Sequence, residues 1–113
     1  MAKLLGQSRR TAKQRREFAR RERQRMAERV ESLAEKLHLD NVEVVTDASV
    51  LDGKKQRAKG FYSKSTGKIT IVIPNHTSTF DVEQTLLHEA VAHYGLRQLF
   101  GEHFDTFLDN VFN

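Results

Sequence analysis

Apolar residues fall on two periods along this chain, and where the period changes the structure should change. Met26, Val30, Leu33 and Leu37 recur at spacings of 4, 3 and 4, with Ala27 and Ala34 beside them. That pattern is one stripe of an α-helix, and it predicts a helix over 8–38 whose second half packs on a core. The first half, roughly 7–25, offers only Phe18 and Ala19 for burial and predicts either a solvated helical extension or a frayed segment. Asp40-Asn41 ends the helix in turn chemistry. Val42–Val45 then predicts a short strand, and 46–60 a polar surface connection with a brief helical turn near 48–51. The runs 61–63 and 68–73 read as strands joined by a turn at Ser65-Thr66-Gly67. Alternation puts Ile69, Ile71 and Ile73 on one face, toward the helices, and Thr70 and Val72 on the other. Pro74, which cannot donate to a ladder, stops that strand.

A second helix follows, capped by Ser78 with Asp81 or by Asp81 with Gln84. It is expected to run to about Phe100, burying Val82, Leu86, Ala90 and Tyr94, and to end at Gly101. A last amphipathic helix is predicted over 102–112, with Phe104, Phe107, Leu108 and Val111 on one face. The pattern runs on to Asn113, which leads us to expect further structure C-terminal to it. This order of elements predicts an α+β fold: a small antiparallel or mixed sheet with a helix laid across it and a long basic helix before it.

Composition narrows the chemistry. The 113 residues suffice for one domain and one modest core. With no cysteine, neither a disulfide framework nor a thiolate metal site can form, so a bound metal must be held by histidine and carboxylate. No apolar run approaches the roughly 20 residues of a membrane span, and the N-terminus is no secretory signal, so a cytoplasmic location is expected. Charge is unevenly spread. Residues 1–36 hold 12 Lys/Arg against 5 Glu, and residues 37–113 hold 7 against 10 Asp/Glu. The split predicts a basic arm over 1–25 attached to a domain over 26–113. Such an arm could make a sequence-indifferent contact with nucleic acid, or it could be a solvated helix tied by pairs such as Glu17 with Arg21.

The candidate chemistry lies in the second helix, in LLHEAVAHYGLRQLFG over 86–101. A hydrolytic zinc site needs imidazoles to hold the ion and a carboxylate to take a proton from the attacking water. His88, Glu89 and His93 supply those groups as H-E-x-x-x-H, one residue longer than the common H-E-x-x-H. Five residues on a regular helix turn about 500°, leaving His88 and His93 about 140° apart and unable to share an ion. A single π-bulge near Ala90–Ala92 would absorb the extra residue, and this is the preferred expectation. Alternatively Glu89 and His93, four apart, form the metal pair and His88 is left over. A third ligand could come from Glu102, His103, Asp105 or Asp109, or from outside the chain. His76, in the loop before the helix, is a further candidate for that ligand, although a loop or supporting role is the plainer reading. Arg97 and Tyr94 are candidates to steady a carboxylate or an oxyanion, although a surface ion pair and simple packing are the plainer expectations.

The five-residue spacing resembles the zinc motif of the dipeptidyl-peptidase III family. From about Asn41 to Asn113 the chain more closely resembles the zincin-like metallopeptidase domain of polyvalent proteins from phages and conjugative elements. That likeness is strongest over GFYSKSTGKITIVIPNHTST and the motif segment. It implies a zincin-like fold, zinc as cofactor, His88 and His93 as ligands, Glu89 as general base, and a peptide or protein substrate in a bacterial mobile-element setting. In that fold a strand borders the cleft and accepts an extended peptide, and 68–73 is the strand expected to do so. The competing expectation is a zincin-fold module without turnover that binds nucleic acid or a protein partner through its basic helix.

Overall fold

The structure, a computed structural model, describes residues 11–95. Helix α1 (Ala12–Lys36) opens with a capping box, in which Thr11 Oγ1 accepts from the Gln14 amide and the Gln14 side chain accepts from the Thr11 amide. Its buried residues are Met26, Ala27, Val30, Leu33 and Ala34, all in the second half. The helix ends in a Schellman turn: the Leu39 amide reaches Ala34 O (2.9 Å) and the His38 amide Glu35 O (3.1 Å). His38 occupies the left-handed position at φ 57°.

Strand β1 (Val42–Val45) follows, then two short 3-10 turns (Ala48–Val50 and Gly53–Arg57), β2 (Gly60–Ser63), β3 (Lys68–Val72) and α2 (Thr79–Tyr94). The sheet is mixed, in the order β1-β3-β2. β1 runs parallel to β3 with Val44 opposite Ile71, and β2 runs antiparallel to it with Tyr62 opposite Ile69. β3 is therefore the central strand, with both edges paired. The expectation that it borders a cleft and accepts a peptide is overturned, because its amides and carbonyls are already used on either side. The antiparallel edge belongs to β2.

Both helices pack on the face that carries Ile69, Ile71 and Ile73, as the alternation requires. These three are fully buried against Val30, Leu33, Val82 and Leu86. The opposite face is also covered: Thr70 and Val72 are buried, Lys55 lies over the Phe61 ring, and Asn75 Nδ2 donates to the carbonyls of Gln56 and Ala58. The turn at Gly53–Arg57 is thereby fastened over the sheet. Among the described residues the architecture is a small α+β unit of two helices and three strands.

Candidate functional site

α2 crosses the sheet beside β2, and each of its ends is fastened differently. At its N-terminus Ser78 Oγ accepts from the Asp81 amide, the first of the two expected caps. Asp81 in turn accepts from Lys59 Nζ at 2.8 Å and from the Thr77 amide at 3.1 Å. The Lys59 hydrogen bond, with help from that amide, holds the Asp81 carboxyl below its ordinary range. One turn on, the buried His76 ring bridges loop and helix, with Nδ1 2.9 Å from Val72 O and Nε2 2.8 Å from Thr85 Oγ1. Burial pushes the His76 pKa down, favouring the neutral ring. In that form Nδ1–H donates to the carbonyl and Nε2 is an acceptor for the Thr85 hydroxyl, which also lies 3.2 Å from the Asp81 carbonyl. His76 is thus a supporting residue rather than a ligand.

The C-terminal end is held by aromatic rings. The His93 ring stacks on Tyr62 at 4.0 Å between centroids, and Tyr94 meets Tyr62 edge-on at 6.3 Å. Tyr94 Oη donates to Gly67 O at 2.9 Å. Burial and then the neighbouring Tyr62 push the Tyr94 phenol up, so it remains a donor. It is committed to the hairpin, which removes it from a role at an oxyanion. The helix ends at Tyr94, because Gly95 adopts φ 78° while its amide still reaches Val91 O at 2.9 Å. The expected extension to about Phe100 stops here, in a conformation that glycine adopts without strain.

Between these ends a cleft of about 450 Å³ opens, lined on one side by Ala58, Lys59 and Gly60 and on the other by Thr85, His88 and Glu89. Gly60 sets its width. A Cβ there would lie 3.0 Å from Thr85 Cγ2 and 3.2 Å from Thr70 O, so any larger residue would push α2 outward by a few tenths of an ångström. His88 is exposed at the cleft. Glu89 is largely covered, and its Oε2 lies 3.3 Å from His93 Nε2, a contact that is an ion pair when His93 is protonated.

α2 is α-helical throughout Thr79–Tyr94, so the bulge expected near Ala90–Ala92 is not formed. Ala90 and Ala92 sit among the best helix formers, and the regular ladder wins. The consequence for the three candidates is direct. Glu89 and His93, one turn apart, are brought together, whereas His88 is turned about 140° from His93. On this regular helix Glu89 and His93 share a face, and His88 and His93 do not. Among the described residues no cluster of three or more His, Asp or Glu side chains is placed to hold a metal. Glu102, His103, Asp105, Asp109, Arg97 and the last predicted helix lie outside the described residues.

Sequence reasoning did not find Tyr62, the residue that orients His93. Its alternation partner Ile69 could have suggested it, but only once the hairpin register was known. Comparison with family models, curated proteins and solved structures returns no match for this chain.

Proposed function

We propose that this chain is a zinc-dependent hydrolase of peptide bonds that uses His88, Glu89 and His93 on α2. One observation carries the reading: a carboxylate and an imidazole 3.3 Å apart stand beside a cleft whose other wall begins an antiparallel edge strand. Among the described residues β2 pairs only with β3, so its outer edge offers backbone groups to an extended peptide. Zinc, when bound, supplies a Lewis acid that polarises a carbonyl and makes water a better nucleophile. With α2 regular, Glu89 and His93 would hold the ion, a further donor would be needed from the downstream candidates, and His88 at the cleft would be the proton acceptor. Were α2 to widen by one residue on loading, His88 and His93 would hold the ion and Glu89 would be the proton acceptor. With α2 regular, Tyr62 fixes the His93 ring plane. His76 positions Thr85 on the cleft wall from behind.

Zinc content measured by elemental analysis on untagged protein tests the proposal. Near-stoichiometric zinc is expected in the wild type and its loss in His93→Ala. Glu89→Gln discriminates between the arrangements: loss of zinc makes Glu89 a ligand, and retention with loss of peptide cleavage makes it the base. A wild-type chain that takes up no zinc when it is offered sinks the proposal.

A further inference from the structure

α1 carries a second functional surface that owes nothing to the cleft. Over 12–25 it holds seven Lys/Arg against two Glu, net +5, whereas 26–95 holds eight against ten Asp/Glu, net −2. None of the residues over 12–25 is buried. The placement of the cations matters more than their number. Lys13, Arg16, Arg20 and Arg23 are spaced 3, 4 and 3, and the same row continues as Ala27, Val30, Ala34 and Leu37. The four apolar members are buried in the core. The face that meets the core in the second half of the helix is therefore cationic in the first, where the helix has run past the core. Arg21 and Arg25 stand on other sides of the same cylinder. The arm is a rod about 21 Å long with cations on several sides, interrupted by Glu17 and by Glu22, which pairs with Arg25 at 3.3 Å.

We propose that residues 12–25 form a binding surface for the phosphate backbone of duplex DNA, with the arm lying in the major groove. B-form DNA has a major groove wide enough for an α-helix and lines it with phosphates on both walls, which suits cations placed around a cylinder rather than along one edge. The A-form major groove of double-stranded RNA is too narrow to admit the rod. A membrane surface calls for an apolar face opposite the charges, and the arm has only Phe18 as a large apolar residue. No side chain here is arranged to read bases, so the binding is sequence-indifferent.

The test is fluorescence anisotropy of the full chain with a labelled mixed-sequence DNA duplex across a salt series. Four phosphate contacts predict a log–log salt slope near −3.6, or about a 100-fold loss of affinity between roughly 50 and 200 mM salt. The double variant Arg16→Gln/Arg20→Gln should flatten the slope by about 2. Lys64→Gln, an exposed cation on the β2–β3 turn, should leave it unchanged. Circular dichroism of each variant confirms that the fold is retained. The proposal is overturned if duplex DNA is not bound at low salt or if the arm variant keeps the wild-type slope. It is equally overturned if double-stranded RNA, phosphatidylserine vesicles or polyglutamate bind as tightly as the DNA.

Discussion

His76 and His93 brace α2 from opposite ends, and they are held in opposite ways. His76 is buried, and both of its ring nitrogens are engaged, one by the Val72 carbonyl and one by the Thr85 hydroxyl. His93 leaves about a third of its side chain open to solvent and is held by its flat face on Tyr62, with Nε2 directed at Glu89. Buried, and engaged through both nitrogens by groups of the fold itself, His76 holds loop and helix together. A ring held by its face keeps its nitrogens available for chemistry. Among histidines of one short chain, how the ring is held is therefore a better guide to use than the residue type.

The largest effect expected from breaking this contrast is on the buried side. His76→Leu removes the donor to Val72 O and should cost about 1–3 kcal/mol in chemical denaturation. It should also change the pH dependence. The folded ring titrates below its ordinary 6.5, so under that pH the unfolded chain binds a proton that the folded chain resists. Wild-type stability should then fall as pH drops below 6.5 and level off once the folded ring also titrates. His76→Leu should lose that slope, and a variant retaining it would assign the titration elsewhere. On the open side Tyr62→Leu, which keeps apolar bulk on the core and deletes only the ring stacking, should cost less, about 1 kcal/mol. Its mark should be local, with faster amide exchange in the last turn of α2 and none added in the first. Tyr94→Phe, which deletes only the hydrogen bond to Gly67 O, should cost about 1 kcal/mol. If either tyrosine variant destabilises more than His76→Leu, the division between a holding end and an open end fails.

Much of this arrangement was legible in the sequence because it is periodic. The α1 stripe, the strand at Val42–Val45, the inward isoleucines, the Ser78 cap and the Val82–Leu86–Ala90 row all follow from local spacing, and the structure places them as read. Pairing order is not a local property. β1 and β3 meet across 27 positions (Val42 opposite Ile69), and nothing in either strand announces that β3 becomes central. At the site, the three residues were visible as a motif, but the assumption that both histidines share an ion led to a bulge that the alanine-rich turn does not form. The roles of His76 and Tyr62 depend on contacts between distant segments, which spacing does not encode.

Nothing interrupts α1 between Ala12 and Lys36, neither proline nor glycine. On its own, a 14-residue arm is at the length where helices in water are marginal, because starting a helix is harder than lengthening one. Here the core half does the starting, and the arm is ordered by propagation from it. The two halves are thereby thermodynamically linked, since whatever holds the arm helical favours the folded chain by mass action. A ligand on the arm raises the melting temperature of a core it never touches.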